Sequence, residues 1–241
     1  MKAMILAAGF GTRLMPLTRD LPKPLIDIDG RPVIEYTLIA LKKAGVRSVI
    51  INLHYLGDAI RQRLGDGSGL GLDLHYSYEP EIQGTAGALL WARSLLDGPF
   101  YLINSDILFD ADLSLLPRLL HDRDADAVMV LYKAKQGQED IANVYLDGNG
   151  YVKSLFKPYP GTVPYLFTGI QFLKPTVMDY IPRTLPRPST TLHMYPEMLR
   201  NGRPIAGLVH EGLWLDIGSM DRLKLAHSLY ASQDARADKG V

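Results

Sequence analysis

The chain has 241 residues, 47% of them apolar and 22% charged, with 26 Lys and Arg balancing 26 Asp and Glu; this is the composition of a globular protein with material for one substantial α/β domain. The balanced charge gives no global field to recruit nucleic acid or an acidic membrane, and the absence of cysteine removes disulfides, thiolate metal sites and cysteine nucleophiles and suits a reducing compartment. The first apolar run meets Arg13 too soon for a signal peptide and no stretch of ~20 apolar residues is present for a membrane helix, so a cytoplasmic protein is expected.

In chain order, Met4-Ile5-Leu6-Ala7-Ala8 reads as a buried strand running into Gly9-Phe10-Gly11-Thr12-Arg13-Leu14. Two glycines around one residue allow a tight turn with backbone N–H groups facing an anion, while Thr12 adds a hydroxyl and Arg13 a forked positive charge. Lys23, between Pro22 and Pro24, sits on a stiff segment that aims its ammonium. Residues 32–45 have the leading proline, apolar spacing, closing lysines and glycine stop of a helix. Strands at 46–53, 72–78 and 99–103 alternate with helices at 57–64 and 85–96, and the Val49-Ile50-Ile51 run implies burial on both faces of a parallel sheet. A Rossmann-like, doubly wound α/β sheet with right-handed crossovers is expected over 1–126.

From residue 127 the pattern changes. Strands at 127–134, 143–147, 151–156 and 165–173, the middle two joined by Gly148-Asn149-Gly150, predict a small antiparallel part that makes the sheet mixed. Short helices at 175–181 and 195–201 flank a proline-rich loop, 182–188, which carries Arg183 and Arg187 and reads as a solvated connection in preference to a lid. Strands at 205–209 and 213–217 and a helix from Met220 to Ser232 close a single domain, 1–232, with a polar tail at 233–241 and no left-handed β-helix extension.

Asp106 follows the apolar run 101–105, at the carboxyl end of a strand, where open α/β sheets place ligands; it also suits a turn cap. Asp216 interrupts another apolar strand, and a buried charge requires a cation, which a metal, a lysine or an arginine supplies. Gln83-Gly84-Thr85-Ala86-Gly87-Ala88-Leu89 opens a helix with small residues, Gly84 permitting close approach and Thr85 able to cap, which leaves a corner for a flat base or for tight packing.

The glycine loop lacks the third glycine of a dinucleotide fingerprint, Leu14 holding its place, and the Gly-Lys-Ser/Thr of a P-loop. Instead, Leu6 to Leu14, then Pro16-Leu17-Thr18, then Pro22-Lys23-Pro24-Leu25, resembles the signature of the sugar-1-phosphate nucleotidylyltransferases, and later motifs extend the likeness to about Asp221. The resemblance implies that Leu6, Ala7, Ala8, Gly9, Gly11, Thr12, Arg13 and Lys23 hold a nucleoside triphosphate. Arg13 then assists pyrophosphate departure and Lys23 contacts the reacting phosphates. It implies Mg²⁺ on Asp106 and Asp216, and base and ribose contacts at Gln83, Gly84 and Thr85 in a form most like the guanylyltransferases. Lys157, in Leu155-Phe156-Lys157-Pro158, takes the place of the lysine that meets the sugar phosphate, and Thr168-Gly169 stands where relatives carry an Asn-Ala-Gly run. Phe156 replaces a glutamate that grips sugar hydroxyls, which suits a sugar with a bulky or apolar substituent. The chain is similar to the mannose-1-phosphate guanylyltransferases in its base-contact stretch and to the N-acetylmuramate-1-phosphate uridylyltransferases in its compact length, and the resemblance implies that 1–126 is mainly the nucleotide-binding half and 127–232 mainly the sugar-binding half, which covers the sugar. The same scaffold serves enzymes that activate non-sugar phosphates with CTP and silent subunits that sense nucleotide sugars, and the residues leave base, sugar, pathway and oligomeric state open.

Overall fold

The structure, a computed structural model, describes residues 1–133 and 143–237; Ala134, the expected last residue of one strand, and 238–241 of the expected tail lie outside the described residues. In chain order the elements are β1 (Lys2–Leu6), a hairpin of β2 (Asp27–Ile28) and β3 (Arg31–Pro32), α1 (Val33–Lys43), β4 (Ser48–Leu53), α2 (Gly57–Leu64) and β5 (Asp73–Tyr78). There follow α3 (Gly84–Trp91), β6 (Phe100–Asn104), β7 (Ile107–Phe109), α4 (Leu115–Asp122), β8 (Ala127–Lys133), β9 (Val144–Leu146), β10 (Val152–Leu155) and β11 (Val163–Leu173). The chain closes with α5 (Tyr195–Arg200), β12 (Ile205–His210), β13 (Trp214–Asp216) and α6 (Met220–Ala237). Among the described residues no helix is long and apolar enough to cross a membrane.

One nine-stranded mixed sheet organises the molecule, in the order β10-β9-β11-β6-β1-β4-β5, with β8 on β11 and β12 on β8. Strands β6, β1, β4 and β5 run parallel, as their unalternating apolar sequences require, and β11 enters antiparallel to β6. The two faces of β1 divide by side-chain alternation. Ala3 and Ile5 join the core under α1, α2 and α4, whereas Met4 joins the core under α3 and α5. Each fully buried Ile or Leu in these layers contributes about 1.5–3 kcal/mol. A third core gathers Leu14, Ile26, Ile28 and Val33 from the front of the chain with Leu108, Leu215, Ile217, Leu223 and Ala226 from β7, β13 and α6.

The structure departs from the sequence reading at element ends. The α-helix begun at Gly84 stops at Trp91 and continues as a 3₁₀ turn, Arg93–Leu95; the helix expected at 175–181 is also a 3₁₀ turn, Pro175–Tyr180, because the i→i+3 bond satisfies short ends. Helix α4 was not anticipated; Pro117 falls in its first turn, where a helix tolerates proline. The closing helix runs past Ser232 to Ala237, so the first residues of the expected tail are helical. In the proline-rich loop 183–187 are exposed, as expected of a connection, but Pro188 is buried. Its carbonyl accepts the N–H of Ala86 at 2.9 Å and of Gly87 at 3.4 Å, which fixes the loop end to the start of α3.

Candidate active site

The carboxyl ends of β1, β4, β5 and β6 open on one cleft of about 310 Å³. The chain order reverses here, stepping from β1 to β4 and β5 and then back to β6 on the other side of β1, the position where open α/β sheets leave a crevice. Leu6, Ala7, Ala8, Gly9, Gly11, Thr12, Arg13, Lys23, Gly84, Thr85 and Asp106 all lie on the cleft wall. Gln83, Lys157, Thr168, Gly169 and Asp216 do not.

The glycine loop is shaped by Gly11, whose φ of 66° is left-handed and whose carbonyl accepts both the Leu14 N–H and the Thr18 hydroxyl at 2.9 Å. The following 3₁₀ turn, Thr12–Leu14, sends Leu14 into the third core and leaves Thr12 and Arg13 on the cleft. Lys23 begins a 3₁₀ turn entered from the extended Pro22, and its ammonium forms an ion pair with Asp106 across the cleft.

Asp106 and Asp216, distant in sequence, become neighbours because β7 and β13 pair antiparallel with Ile107 opposite Asp216, and the Ile217 N–H donates to the Asp106 carbonyl at 2.9 Å. Asp216 accepts the Gly218 N–H at 3.0 Å and forms an ion pair with Arg222 on α6. Gly218 thus occupies the wall in front of it; a Cβ there would lie 2.5 Å from the Asp216 carboxylate and 2.9 Å from the Arg13 guanidinium. Among the described residues no group of three or more His, Cys, Asp or Glu gathers to hold a metal ion. The two aspartates nonetheless offer hard oxygen donors on adjacent strands beside an anion-binding loop. Such donors are of the kind that Mg²⁺ prefers, and Asp106 and Asp216 are the residues that would hold it.

The opposite wall is built by residues that the sequence reading did not single out. Asn52, at the end of β4, accepts the Ala7 N–H at 2.8 Å and donates to Glu79 at 2.8 Å; the other Glu79 oxygen accepts the Gln83 N–H at 2.9 Å. Asn52 and Glu79 are 3% and 1% exposed, and both line the cleft with Asn104 and Ser105. All four close or follow parallel strands, so the rule that locates Asp106 would have found them. The Gln83 side chain turns away, donating to the Glu81 carbonyl at 2.7 Å and lining a separate depression beside Trp91 and Pro188. Thr85 does not cap its own helix. Its hydroxyl accepts the Thr190 N–H at 2.9 Å, and Gly84, with φ 75°, makes room for Arg187 and Pro188, whose carbonyl takes two of the helix's opening N–H groups.

The sugar-side expectations fare differently. Thr168 has no free hydroxyl to offer: it is 2% exposed, donates to the Val130 carbonyl at 2.6 Å and accepts the Ile170 N–H at 3.3 Å, holding the irregularity where β11 slips against β8. Gly169 touches the cleft only through Asn104, against which a Cβ at 169 would lie 2.5 Å from the amide nitrogen. Lys157 is exposed in the turn after β10, closed by the Ser154 hydroxyl donating to the Lys157 carbonyl at 2.6 Å.

Known proteins share this fold. The family model described as nucleotidyl transferase matches residues 2–233. Mannose-1-phosphate guanylyltransferase catalytic subunit beta of Xenopus tropicalis is 33% identical over 223 residues, 90% of this chain, and the chain spans 61% of that relative's length. N-acetylmuramate alpha-1-phosphate uridylyltransferase of Neisseria meningitidis serogroup B is 34% identical over 253 residues, covering 95% of this chain and 98% of the relative. Among solved structures, a putative glucose-1-phosphate thymidylyltransferase from Bacillus anthracis superposes with a TM-score of 0.80 at 23% identity, covering 95% of this chain and 94% of that one. HddC from Yersinia pseudotuberculosis, complexed with GMP-PN, superposes with a TM-score of 0.77 at 22% identity over 95% and 99% of the two chains; at these identities the likeness establishes the fold. Because the family match takes in the glycine loop, Lys23, Asp106 and every strand of the cleft, the chain belongs to the nucleotidyl transferase family.

Proposed function

We propose that the protein transfers a nucleoside monophosphate from a nucleoside triphosphate to a sugar 1-phosphate, releasing pyrophosphate. The observation that carries this reading is the meeting in one cleft of a bare glycine-loop backbone, Arg13, Lys23 and Asp106. A phosphate oxygen of the acceptor attacks the α-phosphorus in line, a new P–O bond forms, and the bond to pyrophosphate breaks. An anion approaches an anion, so the chain's task is neutralisation and alignment. The acceptor phosphate is ionised near neutral pH, so no protein base is required. The loop N–H groups and the Thr12 hydroxyl bind the phosphate tail, Arg13 meets the departing pyrophosphate, and Lys23 exchanges Asp106 for the reacting phosphates. Mg²⁺ held by Asp106 and Asp216 would add charge neutralisation on the phosphate oxygens.

Glu79 favours guanine as the base. A carboxylate only accepts hydrogen bonds; guanine presents two adjacent donors, whereas uracil flanks its single N–H with carbonyls that repel it. The preferred substrate pair is GTP with mannose 1-phosphate. A second reading, UTP with N-acetylmuramate 1-phosphate, is supported by the likeness to the uridylyltransferase, 34% identical over 95% of this chain. Pyrophosphate release measured for the five common nucleoside triphosphates against a panel of sugar 1-phosphates tests both. Release from GTP with mannose 1-phosphate, lost in Asp106→Asn, supports the first reading, and release only from UTP with N-acetylmuramate 1-phosphate establishes the second. Silence with every pair overturns both.

A further inference from the structure

Two buried hydrogen bonds give the Asn52 amide a fixed direction. Its oxygen faces the Ala7 N–H, a donor, and its nitrogen faces a Glu79 oxygen, an acceptor; neither end can be reversed. The second Glu79 oxygen is fixed in turn by the Gln83 N–H. One continuous chain of hydrogen bonds therefore runs from the root of the glycine loop at β1, through the end of β4 and the end of β5, to the residue that precedes α3. The links through Ala7, Asn52 and Glu79 are buried and the Gln83 end is partly so, and Ala7, Asn52 and Glu79 lie on the cleft wall.

We infer that Asn52 is a positioning residue that sets base selection, by presenting Glu79 to the base as a pure acceptor while tying the base wall to the phosphate-binding loop. This rests on the nucleotide reading of the cleft above. With an amide at 52 donating to it and the Gln83 N–H donating from the other side, residue 79 must accept twice, which a carboxylate does and an amide does not. Each carboxylate oxygen keeps a second lone pair for a base donor. The direction of the Asn52 amide thus decides which hydrogen-bonding character residue 79 shows the ligand, and the Ala7 bond fixes that direction.

The polarity of the chain can be inverted without leaving a group unpaired. In Asn52→Asp alone, two acceptors face each other; in Glu79→Gln alone, a donor faces a donor. In the double variant Asn52→Asp/Glu79→Gln, the new carboxylate at 52 accepts from Ala7 and from the new amide at 79, whose oxygen accepts from Gln83. The experiment measures the melting temperature and the calorimetric affinity for GTP and for UTP, each with Mg²⁺, in the wild type and the three variants. Each single variant is expected to melt at least ~4 °C lower, the scale for an unmatched buried pair in a chain of this size, and the double variant to recover most of that loss. The ratio of GTP to UTP affinity is expected to fall at least ~10-fold in the recovered double variant, a scale set by the exchange of one base-facing hydrogen bond. A double variant that melts no higher than the singles overturns the hydrogen-bond chain. One that recovers and keeps the wild-type ratio overturns the role in base selection. Because affinity and melting are read without turnover, absence of pyrophosphate release in the wild type would count against the proposed reaction alone.

Discussion

Lys23 and Asp106 hold each other across the mouth of the cleft, each only partly exposed, so the site is poised with its charges internally balanced before substrate enters. Removing either partner leaves the other near solvent, where an unpaired charge costs little stability, about 1 kcal/mol or less. The effect on turnover is expected to be far larger: Lys23→Ala and Asp106→Asn should each lower kcat by at least ~100-fold, the scale of deleting one electrostatic contact to a reacting phosphate. Steady-state kinetics beside a thermal melt separates the two quantities, and wild-type turnover in either variant removes that residue from the mechanism. Lys23 was legible in the sequence because the loop, Arg13 and Lys23 crowd into one short segment with its own turn chemistry, and Asp106 because it follows the apolar run of a strand. Asn52 and Glu79 were not legible as a pair, since their meeting depends on β4 and β5 lying side by side in the sheet. Thr168 misled for a related reason. A threonine beside a glycine gives no sign that its hydroxyl is spent on the Val130 carbonyl of a neighbouring strand.

At the scale of elements, the β9 to β10 hairpin shows how turn chemistry is read correctly from sequence. Gly148-Asn149-Gly150 marks the reversal, and β9 and β10 pair antiparallel around it. Asp147 closes the turn: although partial burial opposes it, the Tyr151 N–H at 2.9 Å, the Lys153 ammonium at 3.2 Å and the Asn149 N–H at 3.0 Å hold its carboxyl below the usual carboxylate range. A depressed folded value stabilises the protein above the unfolded value, about 4, and that contribution disappears as the pH falls through the folded value. Asp147→Asn keeps an acceptor and removes the charge, so it should lower stability by about 0.2–1 kcal/mol at pH 7. Urea denaturation from pH 7 down to pH 2 checks this: the gap between variant and wild type should close below about pH 4, and a gap constant with pH would show that the charge contributes nothing. Elements held by distant partners were harder to foresee. The three residues of β7 take their ladder partner from β13, more than a hundred positions later.

For the whole molecule, the α/β class followed from strand and helix periods alone, and the mixed sheet from the change of pattern at residue 127. The cleft lies where four parallel strands end together, so a nucleotide bound there as proposed would touch β1, β4, β5 and β6 at once and stabilise the sheet as a unit. At a hundredfold excess over its dissociation constant, a nucleotide binding only the folded state adds ~2.7 kcal/mol, which corresponds to a rise in Tm of roughly 5–10 °C for a chain of this size. Differential scanning fluorimetry should show this rise with GTP at saturation and lose most of it in Arg13→Ala. A nucleotide that leaves Tm unmoved at saturating concentration would place its binding outside this cleft.

The third core joins Leu14, in the glycine loop, to Leu215, Ile217, Leu223 and Ala226. Synthesis delivers those partners about 200 residues after the loop itself, roughly 10–40 s later at ordinary translation speeds. Until they arrive, Leu14 shares its core with Ile26, Ile28, Val33 and Leu108 alone, and the floor under the loop is half built. A motif made early is therefore completed late, its last supports reaching it only when most of the described residues have been joined.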